Sequence, residues 1–318
     1  MLSQIFKNVW ASFLALFCLF LLQSWWNKSI YTEAIFFEST TQWPVFLLLF
    51  TRALALTLVV TLWSEVFRQQ LLSAGNRYTG LIYGMILLVV LNRFWIAQEL
   101  LSLIIVTLMM RRVMSSTEVL NPSPPMFEAG LLVALAGLID VHYLLLLFPL
   151  ILANLFLGRV GLRIQLVPIF GIGSSVWILW ALADLTGQKP GKINDVGEWL
   201  SSPSSHLAIE GFAFSFWQIA LIPAVWIAYT GFRREWSQSR AVERQILQLL
   251  FWEMILFFFL GLLPFAGGSL WWSISAMPFS LLAAKSLGGV KKAWLRELWV
   301  LALLCIPTLH LLLIGLSD

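Results

Sequence analysis

The chain has 318 residues, of which 60% are hydrophobic and 11% charged, with a mean hydropathy of +0.87. Soluble domains carry about 25% charged residues, so this composition cannot build a water-facing surface, and a length allowing roughly 9 to 12 crossings of about 20 residues leaves nothing for a separate soluble domain. The net charge of +4 does not point to nucleic acid, because the basic residues fall in short clusters between apolar runs, as they do in proteins oriented across a membrane.

In chain order, apolar runs bounded by charge, Pro or Gly lie near 9 to 24, 45 to 64, 79 to 91, 94 to 110, 126 to 140, 143 to 157, 165 to 186, 207 to 231, 246 to 263, 268 to 284 and 298 to 315. They predict about eleven helices. The first run follows Lys7 and lacks a small-residue cleavage site, which predicts an uncleaved span. Four runs between Thr79 and Leu157 are at or below spanning length, as expected of tilted, broken or partly re-entrant helices surrounded by protein. With the N-terminus inside, Lys7, Arg68, Arg77, the pair Arg111 and Arg112, Arg159, Arg163 and two later basic clusters all fall in alternate loops on the cytoplasmic side. The fold expected is a single all-α polytopic membrane domain over residues 1–318, in a bacterial cytoplasmic membrane.

Two outer loops follow from that topology, near 25–44 and 187–206. The first mixes aromatics with Glu33 and Glu38, a composition suited to a helix lying in the interface, and the second has the Gly, Pro and Ser of an exposed connection. The 17 tryptophans fit anchoring at headgroup level, with carbohydrate stacking as an alternative for a few. Cys18 and Cys305 lie inside apolar runs with no metal-ligand or disulfide spacing.

Ionisable residues within spans cost something like 2.5 to 3.5 kcal/mol and are functional candidates. Here they are Arg52, Glu99, Glu128, Asp140 with His142, Asp184, Glu210 and Glu253. Most lie near predicted span ends, where snorkelling favours an interfacial or structural role. Arg52 and Glu99 are flanked by apolar sequence on both sides and either pair with each other or serve function. In the functional case Arg52 and Arg93 bind a phosphate, since guanidinium matches phosphate oxygens bidentately, and an outward-facing carboxylate acts as general base. Asp140 and His142, two apart in a turn between short helices, are suited to substrate, to a divalent metal or to proton relay, with a solvated turn as the structural alternative. No other cofactor is indicated.

The stretches Met126 to Gly173 (MFEAGLLVALAGLIDVHYLLLLFPL onward), Met277 to Pro307 (MPFSLLAAKSLGGVKKAW onward) and GLIYGMILLVVLNRF resemble a family of bacterial multi-pass proteins known as a domain of unknown function and sometimes mislabelled carotene monooxygenase. That family implies a multi-pass fold and no particular activity. LNRFWIAQELLSLIIVTLMMRR followed by EAGLLVALAG also looks distantly like the middle of the C-class glycosyltransferases, which use polyprenyl-phosphate-linked sugars. That class places a catalytic carboxylate in the first outer loop, where this chain has Glu33 and Glu38; in the enzyme reading Glu33, Glu38 or Glu99 is the base and Arg52 with Arg93 stabilises the leaving lipid phosphate. The chain departs from the class pattern in having two Glu five residues apart in that loop, and Asp140 and His142 where Lys is frequent.

Three functional readings follow. The first is an enzyme acting on, or a protein binding, a lipid-linked envelope precursor. The others are a non-catalytic subunit of an envelope complex with membrane protein partners, and a transporter of lipid or small solute with helices broken at Pro149, Pro168, Pro223, Pro264 and Pro278. A redox enzyme fits least, because three scattered histidines do not supply a haem or non-haem iron set.

Overall fold

The computed structural model of the protein describes residues 14–21, 45–70, 78–90, 97–117, 121–139, 141–159, 161–186, 228–237, 241–262 and 268–288, with a few single positions besides. Most of these residues are helical, with no strand among them. The labelled helices are α1 (Val45–Gln70), α2 (Thr79–Val90), α3 (Ala97–Ser115), α4 (Ser123–Ile139), α5 (Leu147–Phe156), α6 (Leu162–Thr186), α7 (Ala241–Leu262) and α8 (Gly268–Gly288), with a 3-10 segment at Val141–Leu146. Their positions follow the apolar runs of the sequence. The chain divides into two compact units: residues 1–100, 215–238 and 272–318 form the first, and residues 101–214 and 239–271 the second.

In the first unit α1 packs on α2. One face of α1 buries Ala53, Leu56, Val60 and Trp63, while Phe50, Leu54, Leu58 and Leu62, spaced by four, form an exposed apolar stripe. Gly80 of α2 faces Val60 and Ser64 of α1; a Cβ there would stand 3.4 Å from Ser64 Cβ, so the helices approach closely. The Trp63 indole donates to the Met277 carbonyl at 3.1 Å and to Ser280 Oγ at 3.2 Å, which ties α1 to α8. Residues 228–237 form a further helix, whose Gly231 lies against the Leu282 backbone. Lys285 of α8 pairs with Glu235 on that helix at 3.1 Å, their side chains 8% and 21% exposed.

In the second unit α4 packs on α6 through glycines. A Cβ at Gly130 would strike the Pro168 carbonyl, and one at Gly171 would strike the Phe127 carbonyl. The two backbones therefore meet directly, a geometry that small residues permit. Pro168 lies inside α6 and has no N–H, so the Ile164 carbonyl four residues earlier loses its helical donor. The Asn154 side-chain amide, from α5, donates to that carbonyl at 3.3 Å. α7 packs on α5, with the Phe156 and Trp252 rings stacked at 6.3 Å. α3 runs on to Ser115, past the expected end of its apolar run at 110, because Arg111 and Arg112 interrupt the hydropathy but not the hydrogen-bond ladder.

The burial pattern is mixed in a telling way. Thr57, Ser102, Thr107, Ser116, Ser273 and Ser280 are buried, whereas Leu58, Phe148, Phe170, Trp177 and Phe259 are exposed. Among the described residues, Glu243–Gly261 is the one helical stretch long and apolar enough to cross a membrane by length and composition. Ala53–Ser64, Ser123–Ile139, His142–Phe156 and Leu162–Ile178 are shorter apolar helices. Eleven spans and a cytoplasmic N-terminus therefore go beyond what these helices establish.

Candidate functional site

Of the candidate ionisable residues singled out in the sequence, Glu33, Glu38, Arg93, Asp140 and Glu210 lie outside the described residues. Arg52 belongs to α1 and Glu99 to the first turn of α3, with neither side chain described. Their pairing, and the phosphate site of Arg52 with Arg93, thus fall outside the described structure. His142 lies half-buried in the 3-10 segment that leads directly into α5. Glu128 forms an ion pair with Arg112 at 2.8 Å, with side chains 44% and 51% exposed, which accounts for both charges.

The residue of greatest chemical interest is Glu253, one of the acidic residues of the apolar runs for which sequence favoured a structural role. It sits near the middle of the Glu243–Gly261 stretch, only 1% exposed, and its Oε2 has no hydrogen-bond partner. Leaving such an atom unsatisfied costs about 1–3 kcal/mol. One turn further along α7, Phe257 stacks on Trp271 at 6.2 Å, and Trp271 packs on Tyr143 at 6.1 Å, closing an aromatic wall on the same helix face.

α5 supplies a second unsatisfied oxygen. Its end is fixed by a Schellman turn in which the Gly158 N–H donates to the Leu155 carbonyl at 3.0 Å and the Arg159 N–H to the Asn154 carbonyl at 2.8 Å. Gly158 has φ of 73°, the left-handed region that glycine enters without penalty. The turn delivers Arg159 to the end of α3, where its Nη1 donates to Ser116 Oγ at 2.9 Å and Nη2 donates to the Ser116 carbonyl. Partial burial pulls this guanidinium below its ordinary value, and it stays charged, favourably placed at a helix C-terminus. Gln165 Nε2 donates to the Arg159 carbonyl at 2.9 Å.

The amides of Asn154 and Gln165 therefore have fixed orientations. Flipping either would set a side-chain oxygen against a backbone carbonyl. In consequence Asn154 Oδ1 and Gln165 Oε1 are buried without a donor, as is Glu253 Oε2. Trp252 stacks on Phe156 and Gln245 approaches Gly158, so α5 and α7 run antiparallel, with Asn154 and Glu253 within about one turn of the same level. The amide oxygens of Asn154 and Gln165 are acceptors, and the Glu253 carboxyl accepts when ionised and donates when protonated. Among the described residues no three of His, Cys, Asp and Glu group as ligands for a metal ion.

Comparison with known protein families, curated proteins and solved structures finds no match. Polar letters inside apolar runs, in LANLF, GLRIQLVPIF and LLFWEMILFF, were the available signal for Asn154, Gln165 and Glu253, but no spacing rule links residues a hundred positions apart.

Proposed function

We propose that the protein is a multi-pass α-helical protein of the bacterial cytoplasmic membrane that binds a polar group of a lipid-linked or small-solute cargo within the bilayer, with Glu253 meeting that group. The observation that carries this reading is the unsatisfied, fully buried Glu253 carboxylate near the middle of an apolar helix, since intramembrane carboxylates mark substrate, ion or proton pathways. The acceptor oxygen of Asn154, on the helix packed against α7, suits a cationic or proton-donating group. Large apolar side chains on the exposed faces favour lipid as their covering. Close helix partners take small residues instead, as Gly130 and Gly171 do inside the second unit.

Infrared difference spectra of the protein in lipid, recorded on adding Na+, K+ or a primary ammonium ion and on changing pH, test the reading. A carboxyl band that responds in the wild type and is missing from Glu253→Gln supports it; spectra identical in both proteins refute it. Native mass spectrometry of gently extracted protein tests the lipid-linked cargo, with a co-purifying polyprenyl-phosphate-linked sugar, whose hydroxyls can donate to the Glu253 and Asn154 oxygens, as the expected result. Sugar transfer with Glu33, Glu38 or Glu99 as base is the catalytic extension of this reading and draws its support from sequence likeness. Glu→Gln variants at these positions that retain full glycan output would remove it.

A further inference from the structure

In the first unit, the helix at residues 228–237, with Trp226 also helical before it, has two unlike sides. One turns to α8: Ala228 is fully buried, Gly231 lies against the Leu282 backbone, and Glu235 pairs with Lys285 at 3.1 Å. These positions are three and four apart, the spacing of one helix face. Trp226, Tyr229 and Arg233 repeat that spacing on the opposite face, and all three are exposed. Arg234 is exposed beside them.

The order along this stripe is aromatic first and basic last. The Trp226 and Tyr229 rings pack at 5.9 Å, and Arg233 follows Tyr229 by one turn, about 6 Å along the axis. The apolar run of 207 to 231 ends just before the two arginines. Trp and Tyr settle where acyl chains meet headgroups, so guanidinium groups one turn beyond them stand at the level of the lipid phosphates. Glu235, next to Arg234, does not offset the charge, because Lys285 holds its carboxylate on the side toward α8. The face thus combines uncompensated positive charge with exposed rings. Guanidinium is suited to phosphate, whose oxygens it meets bidentately.

We infer that this outer face, formed by Trp226, Tyr229, Arg233 and Arg234, is a docking surface for an anionic phospholipid, with the arginines on its headgroup phosphate and the rings against its glycerol and upper acyl region. Charge decides the occupant. A zwitterionic headgroup brings its own cation to the arginines, and an apolar partner would leave both guanidinium groups without an anion. The inference rests on the membrane location proposed above and not on Glu253, which lies in the other unit.

The test titrates phosphatidylglycerol and phosphatidylcholine of identical acyl chains into the whole protein in a non-ionic detergent and follows thermal unfolding. The wild type should bind phosphatidylglycerol roughly tenfold more tightly, the gain expected of two arginines at a charged surface after partial screening. High salt should remove the difference. Arg233→Gln/Arg234→Gln should bring the two affinities together and leave the ligand-free midpoint unchanged, since both side chains are exposed. Arg111→Gln/Arg163→Gln takes the same charge from exposed positions of the other unit and should keep the wild-type preference. Equal wild-type affinities for the two lipids overturn this inference alone, whereas no response to either lipid overturns the membrane location with it. A preference that survives in the Arg233/Arg234 variant, or that is lost equally in the Arg111/Arg163 variant, also overturns it, the second because net charge and not this face would be responsible. A wild-type preference indifferent to salt overturns it without recourse to any variant.

Discussion

Asn154 and Pro168 are joined through one carbonyl. Pro168 deprives the Ile164 oxygen of its helical donor, and the Asn154 amide supplies another at 3.3 Å. Asn154→Leu should therefore cost about 1–3 kcal/mol, the penalty for an unsatisfied buried acceptor. Pro168→Ala restores an N–H at position 168, so the same Asn154→Leu change made in that background should cost less. A double-mutant cycle on unfolding in detergent should show coupling of about 0.5–3 kcal/mol; additive effects would contradict the account.

The contact of α4 with α6 makes the glycines unequal. Gly130→Ala and Gly171→Ala each force a Cβ into backbone that cannot move aside as a side chain would, and each should destabilise by about 1–3 kcal/mol. Gly173, in α6, has nothing within 4 Å of its added Cβ. There alanine should stabilise by roughly 0.5–1 kcal/mol through helix propensity. Opposite signs for Gly171→Ala and Gly173→Ala in one unfolding assay are the expected signature.

Gly158 ends α5 with φ of 73°. Gly158→Ala should cost about 1–2 kcal/mol for placing a Cβ in the left-handed region, and Gly158→Asn should cost less, since Asn tolerates that region better. Equal losses for the two variants would mean that the turn has rearranged.

The two described ion pairs should behave differently. Lys285→Met removes a charge-assisted hydrogen bond from a largely enclosed setting, and a loss of about 1.5–3 kcal/mol is expected for a hydrogen bond between charged groups. Arg112 and Glu128 are about half exposed, so Arg112→Ala should cost under about 1 kcal/mol and lose that effect in high salt.

Glu253→Leu separates function from stability. Removing an unsatisfied buried carboxylate should leave the unfolding free energy unchanged or raise it, while the carboxyl infrared response disappears. A large loss of stability would instead mark Glu253 as structural glue.

Much of the helix layout was readable from the sequence, because an apolar run ended by charge, Gly or Pro reports directly where a helix buries or exposes its surface. The runs at 126 to 140 and 246 to 263 fall close to α4 and α7. The break between α4 and α5 was read at Asp140 to His142, and a 3-10 segment begins at Val141. The Schellman turn at Gly158 was written in the sequence as a helix followed by Gly, yet its consequence, Arg159 on Ser116 across 43 positions, was not. Long-range contacts leave no mark on hydrophobic periodicity. For the same reason nothing in the sequence sets Glu253 apart from the other acidic residues of the apolar runs, whereas the fold packs its helix on α5, which carries the unsatisfied oxygen of Asn154.

The tie between the Trp63 indole and the Met277 carbonyl joins positions 214 residues apart. A ribosome adding about 5–20 residues per second needs roughly 10 to 40 seconds to travel that distance. During that interval α1 has been made but its indole N–H has no carbonyl to meet. The first unit is thus a late product of synthesis, and chains interrupted before α8 would present the cell's quality-control proteases with an unfinished Trp63 face.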